Sequence, residues 1–142
     1  MYMLDTDICV YVINESPVEL KTTFNRHFQK LAISSITLAE LMFGVEKSGN
    51  RFRNLENVLD FSRRVSVLFF DDKAAMEYGK IRAELQRAGM PIGPNDTLIA
   101  AHARSIDATL VTNNIREFNR VQGLRIENWF KKQELEQQQR SK

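Results

Sequence analysis

The stretch Ile92-Gly93-Pro94-Asn95-Asp96-Thr97-Leu98-Ile99-Ala100-Ala101-His102-Ala103 decides how this chain is read. Gly93 and Pro94 interrupt whatever element precedes them, and Asn95 is a favoured helix N-cap. The helix after it is Ala-rich and apolar around most of its circumference, which places it inside the protein. Asp96 stands in its first turn, on one face with Ile99 and Ala100. The helix dipole alone is enough to account for an acid in a first turn. Whether Asp96 belongs instead to a group of acids depends on where the other carboxylates fall.

Working back from this helix, Ala74, Tyr78, Ile81 and Leu85 recur at helical spacing, with Asp71 or Asp72 as the cap and Gly89 as the stop. Val67-Leu68-Phe69-Phe70 reads as a strand, and Phe52, Leu55, Val58, Leu59, Ser62 and Val65 as a long amphipathic helix. Leu38, Leu41, Met42 and Val45 face the core from a helix that begins at Ser34-Ser35. Gly44 and Gly49-Asn50 mark where that helix gives way to loop. Leu20, Phe24, Phe28 and Leu31 predict one helix, with Ser16 as N-cap and Pro17 at its first position. Tyr2-Met3-Leu4 is a buried strand that stops at Asp5, before a helix carrying Ile8, Cys9, Val12 and Ile13.

Working forward, Thr109-Leu110-Val111-Thr112 is a β-branched strand ending at Asn113-Asn114. A short turn through Phe118 leads to a last strand, Leu124-Arg125-Ile126, with Trp129 and Phe130 behind it. Short strands alternating with helices predict βαβ units: an α/β fold whose mainly parallel sheet is covered on both faces. We place one domain over residues 1–130 and a polar, solvated tail over 131–142.

At 142 residues, 43% hydrophobic and 27% charged, the chain is long enough for a core of its own. A net charge of +2 is compatible with a nucleic-acid partner without requiring one. The lone Cys9 excludes an intramolecular disulfide and suits a reducing compartment. No apolar run approaches the ~20 residues of a membrane span, so we expect a cytoplasmic protein with no membrane partner.

In an open α/β sheet, ligands bind beyond the carboxyl ends of the strands. Asp5 and Asn113-Asn114 come directly after strands, Glu40 lies early in the helix after the Ile33 strand, and Asp96 opens the helix before the Thr109 strand. Each has a local explanation. Thr37-x-x-Glu40 fits a capping box, and Asp5 or Asp7 would cap the helix at Ile8. Yet acids crowded together repel and raise one another's pKa, a cost that a hard divalent cation removes. Four segments converging on one edge favour the metal site.

These residues also carry a resemblance. Met3-Leu4-Asp5-Thr6-Asp7, Ser34-Ser35-Ile36-Thr37-Leu38-Ala39-Glu40-Leu41, Gly93-Pro94-Asn95-Asp96-x-x-Ile99-Ala100 and Val111-Thr112-Asn113-Asn114-x-x-Glu117-Phe118 occur in the order and spacing of the PIN-domain ribonucleases. The chain resembles most the VapC-type toxins of bacterial toxin–antitoxin pairs. The resemblance implies a PIN-like three-layer α/β/α fold and a Mg²⁺-dependent endoribonuclease, with Mn²⁺ as a substitute. It further implies a homodimer held inactive by a VapB-type antitoxin, and transfer RNA, often the initiator, as substrate. Carried over by position, Asp5 and Asp96 ligate the metal, and Glu40 is the third acid, on the metal or orienting its water. The family commonly has Asn where this chain has Asp7, and often an acid where it has Asn114. Asp7, or Glu117 through a water, would return the missing charge.

Among the surface cations Lys80, Arg82, Arg87, Arg104, Arg116 and Arg120, we single out Arg116, which lies just past the Asn114 strand end. There it would offset the acids and reach an RNA phosphate. His27, His102 and Cys9 are assigned to packing. Two rivals remain: a haloacid-dehalogenase-type phosphatase using Asp5-x-Asp7, and an RNA-binding or regulatory PIN relative with impaired catalysis.

Overall fold

Successive side chains of a strand face opposite sides of a sheet, and the first strand feeds a core on each side. In β1 (Tyr2–Leu4) both Met3 and Leu4 are fully buried, yet they enter different cores. The next position is Asp5, the first residue beyond the strand. The computed structural model describes residues 1–15 and 18–129. Around β1 lie β2 (Leu31–Ser34), β3 (Ser66–Leu68), β4 (Thr109–Val111) and β5 (Arg125–Glu127), in the order β3-β2-β1-β4-β5 with every pairing parallel. Tyr2 is in register with Leu31 on one side and Thr109 on the other.

Leu4, Ile33, Val67 and Val111 turn to one face, towards α1 (Thr6–Ile13), α2 (Val18–Arg26), α3 (Ser35–Glu46) and α4 (Arg51–Arg63). Met3, Leu68, Leu110 and Ile126 turn to the other, towards α5 (Asp72–Arg87), α6 (Pro94–Ser105) and the short α7 (Ile115–Phe118). The expected three-layer α/β/α arrangement is what forms. Among the described residues no helix is long and apolar enough to cross a membrane.

Several local expectations need correction. The Leu20–Leu31 spacing does not belong to one helix: α2 ends at Arg26, Phe28–Lys30 is a 3₁₀ turn, and Leu31 begins β2. The His27 amide already bonds back to Phe24, which tightens and closes the last turn. Phe28 is consequently half exposed. In α4 the buried residues are Val58 and Phe61, whereas Phe52 and Leu59 are exposed. α3 passes through Gly44 to Glu46 rather than yielding there. β3 stops at Leu68, because the Phe70 amide turns to the Ser35 hydroxyl at 3.0 Å and Phe69 points outward, 83% exposed.

The Ile92–Ala103 stretch also folds one step differently. Gly93 is the N-cap of α6 and Pro94 its first residue, where the missing N–H is harmless and the fixed φ already helical. Asn95 is therefore inside the first turn. Asp71 is the cap of α5, accepting from the Ala74 amide at 3.0 Å, and Gly89 stops that helix with φ +67°. The expected Ser16-Pro17 start of α2, the placement of Phe130 and the 131–142 tail lie outside the described residues.

Candidate active site

The chain runs from β1 to β2 on one side while β4 lies on the other, which opens a crevice at the carboxyl ends of β1 and β4. Asp5 stands in it. Its amide continues the ladder by donating to the Val111 carbonyl at 2.9 Å. Its side chain caps α1: Oδ1 accepts from the Thr6 amide at 2.8 Å. The capping reading is thus correct for one oxygen. The other, Oδ2, accepts from the Thr112 hydroxyl at 2.8 Å, and Thr112 Oγ1 accepts in turn from the Asn114 amide at 2.9 Å. Thr112 is wholly buried and Asp5 only 4% exposed. Burial pushes the Asp5 carboxyl up to about 7, against the opposing pull of Thr112 and Thr6, and the nearby charges of Asp96 and Asp7 push it further the same way.

Glu40 is not part of a capping box. Ser34 is the N-cap of α3, its Oγ accepting from the Ile36 amide at 3.1 Å, so Glu40 lies beyond the reach of the helix start. Its Oε1 accepts from the Thr6 hydroxyl at 2.6 Å and its Oε2 from the Asn95 amide nitrogen Nδ2 at 3.3 Å. A carboxylate from α3 is thereby held between the first turns of α1 and α6.

Asp96 is half-buried in the first turn of α6. Desolvation raises its carboxyl to about 6, and Glu117, Glu40 and Asp7 add to that in turn. Asp7 and Glu117 therefore both contribute negative charge where Asn114 carries none. Asn114 itself is the backbone N-cap of α7 without a side-chain cap bond. Arg116 is exposed on α7 and does not number among the groups that shift Asp5 or Asp96. Glu117, half-buried on the same helix, is the α7 charge that acts on Asp96.

The PIN domain family matches residues 2–124 of this sequence. The chain belongs to the PIN-domain family. Across 128 residues, 90% of this PIN domain's chain, it is 50% identical to the tRNA(fMet)-specific endonuclease VapC of Shigella flexneri, of which it covers 97%. It is equally similar to ribonuclease VapC2 of Haemophilus influenzae, at 50% identity over 90% of this chain and 97% of the relative. Its fold superimposes on a chain of the DNA-bound VapBC of Salmonella typhimurium with a TM-score of 0.87 and 48% identity, covering 90% of this chain and 97% of that one. For VapBC2 of Rickettsia felis, bound to a fragment of promoter DNA, the TM-score is 0.86 at 45% identity, with 90% and 98% covered. The phosphatase reading falls with this membership.

The donor set of the crevice is hard oxygen throughout, the kind Mg²⁺ and Mn²⁺ prefer. Among the described residues no three Asp, Glu, His or Cys side chains are already gathered into a cage for an ion. Mg²⁺ does not need one, since it commonly takes one or two carboxylates and completes its shell with water. The test of fit is the state of the acids. Asp5 and Asp96 are both raised by burial and by neighbouring carboxylates, and no cation enters on either. Positive charge delivered there relieves both at once.

The residues that sequence reasoning missed are the donors: Thr6, Asn95 and Thr112. In the sequence Thr6 and Thr112 stand out only as members of the Asp5 and Asn114 motifs, and Asn95 reads as a cap. The histidines behave as expected. His102 is buried against Ser34 Oγ at 2.7 Å, and burial lowers its pKa. His27 stacks on Trp129 at 4.8 Å, and Cys9 is fully buried.

Proposed function

We propose that this PIN domain is the RNA-cleaving toxin of a VapBC-type pair, a Mg²⁺-dependent endoribonuclease. What supports the metal dependence is the convergence of Asp5, Glu40 and Asp96, from the N-cap of α1, from α3 and from α6, on one crevice. There Glu40 is held by Thr6 and Asn95, and burial and neighbouring carboxylates raise Asp5 and Asp96. Asp5 and Asp96 would hold the ion, with Mn²⁺ as a substitute. A bound Mg²⁺ supplies polarisation of the phosphoryl group and a water acidic enough to attack near neutral pH. Glu40, steadied by Thr6 and Asn95, is the base that takes the proton of the attacking water. Thr112 and the Thr6 amide hold Asp5 in one orientation while this happens. Arg116 is exposed beside the strand end and would meet a phosphate of the RNA.

Transfer RNA, and the initiator in particular, is the substrate we favour, because a relative at 50% identity is a tRNA(fMet)-specific endonuclease. A VapB-type antitoxin is the partner, as in the VapBC complexes this chain superimposes on. We further propose a homodimer acting in the cytoplasm, where the unpaired Cys9 stays reduced.

The test is incubation of a transfer RNA pool with the purified protein, with Mg²⁺ and with chelator, beside Asp96→Asn. Discrete cleavage that needs both Mg²⁺ and Asp96 is expected. RNA that is bound and shifted but never cut would overturn the reading in favour of a regulatory PIN relative.

A further inference from the structure

Gly44 occupies the interior of α3, where glycine is a poor helix former. Its backbone is helical, and a Cβ added there would meet nothing within 4 Å. Neither conformation nor packing calls for the missing side chain, so the open space beside it asks for another explanation. Gly44 lines a cleft of about 570 Å³ between α3 and α6, a size in the range of small-ligand sites. At one end the cleft is walled by Thr6, Glu40 and Asn95, the group already described. At the other end stand Phe43, 65% exposed, and Lys47, whose ammonium lies 5.1 Å from the centre of the Phe43 ring.

We propose that this cleft is a nucleobase subsite of the nuclease. The base of a nucleotide neighbouring the scissile phosphate stacks on Phe43, and Lys47 pairs with the adjoining phosphate. The proposal rests on the RNA-cleaving reading. Single-stranded RNA is gripped by an aromatic face and a nearby cation, a pairing that tolerates any sequence because every base has a flat π-face. The ends of the cleft fit that occupant better than an apolar helix. Such a helix would bury the Lys47 ammonium at one end and the Glu40 carboxylate at the other, whereas a nucleotide brings a phosphate for the first and leaves the second open to water. The bare Gly44 backbone lets the base lie close to α3. Gly44 also borders a groove between α1 and α4, whereas Phe43 and Lys47 line the first cleft and not that groove. Those two residues therefore carry the test.

Cleavage of a short single-stranded oligoribonucleotide is measured with Mg²⁺ for the parent, Phe43→Ala, Phe43→Trp, Phe43→Leu and Lys47→Gln, with mass determined by light scattering. Phe43→Ala should raise KM by roughly tenfold to a hundredfold, the worth of one base stack, with the loss on KM rather than kcat. Phe43→Trp should restore KM and Phe43→Leu should not. Lys47→Gln should raise KM and weaken its dependence on salt. Gly44→Ala should melt at a higher temperature than the parent yet bind RNA less tightly. Equal rescue by Leu and Trp, or an unchanged KM in Phe43→Ala, overturns the subsite alone. A change of oligomeric mass in Phe43→Ala that by itself accounts for the lost cleavage makes the cleft a contact between copies and likewise overturns it. A parent that leaves all RNA intact overturns the nuclease reading and the subsite with it.

Discussion

Asp5 and Asp96 occupy one crevice and are raised by the same physics, but they are held in opposite ways. Asp5 is sealed at the end of β1, 4% exposed, with one oxygen on the Thr6 amide and the other on the Thr112 hydroxyl. Asp96 is half-buried at the start of α6, and its electrostatic surroundings are Glu117, Glu40 and Asp7. One acid is oriented by donors, the other is set among like charges. Under the proposed metal reading, Asp5 would be the ligand already oriented by the fold, and Asp96 the one whose repulsion the ion would relieve.

The sharpest way to break this comparison is to remove each charge. Asp5→Asn and Asp96→Asn should each reduce Mg²⁺-dependent RNA cleavage by about a hundredfold or more, the usual result of losing a metal ligand. Single-turnover cleavage rates decide it, and activity within a few-fold of the parent in either variant would remove that acid from the metal.

The next effect separates the two acids without using activity. The folded Asp5 carboxyl titrates at about 7 against 3.8 for its ordinary value, so folding favours its protonated form. Its contribution to stability is complete below pH 3.8 and is lost as pH rises through about 7, after which it is flat. That interval corresponds to on the order of 4 kcal/mol as an upper bound. The metal-free protein should therefore melt at lower temperature as pH rises from 4 to 8, and Asp5→Asn should remove much of that fall. Asp96→Asn should remove less, because Asp96 is partly open to solvent and reaches only about 6. Adding Mg²⁺ at pH 8 should restore the parent's melting temperature and leave Asp5→Asn unmoved. Equal slopes for parent and both variants in scanning calorimetry would erase the distinction.

A smaller effect sharpens the role of the donors. Thr112→Val removes the bond to Asp5 Oδ2 and the acceptor for the Asn114 amide, costing about 1–3 kcal/mol of stability. The Thr112 bond lowers the Asp5 pKa, so its loss should move the acidic limb of the cleavage profile to higher pH. Thr112→Ser should retain the parent profile. A shifted melting temperature with an unshifted profile would reduce Thr112 to a structural role.

The smallest effect concerns Asp7, which is exposed yet raises both Asp5 and Asp96. Asp7→Asn should lower both carboxyls slightly, stabilise the metal-free protein by less than about 1 kcal/mol at pH 8 and weaken Mn²⁺ binding. Calorimetric titration with Mn²⁺ would show an unchanged affinity if Asp7 were only part of a helix start.

Much of the architecture was legible in the chain. The break at Gly93-Pro94, a cap at Asp71 or Asp72, the stop at Gly89 and the buried Tyr2-Met3-Leu4 strand ending at Asp5 are local signals, and each folds where it points, the cap being Asp71. The misreadings share one cause. Leu31 continues a helical spacing but pairs with Tyr2 in the sheet, and Phe52 fits an amphipathic stripe whose buried positions prove to be Val58 and Phe61. Periodicity records which residues can share a face, and packing against other elements chooses among the faces.

The same division runs through the site. By itself the sequence determined that Asp5 stands at the end of a strand, Asp96 at the start of a helix, and Glu40 on the helix that follows the Ile33 strand. Those positions come from punctuation by Gly, Pro and Asp, and that needs only neighbouring residues. Only the tertiary structure decided that Thr112 reaches Asp5 across 107 positions, and that Asn95 reaches Glu40 across 55. Hydrogen bonds of that kind leave no periodic trace, because they are set by the parallel register of β1 with β4 and by the approach of α3 to α6. The elevated carboxyls arise from the same approach, since desolvation and like-charge repulsion exist only once distant segments have closed on one crevice.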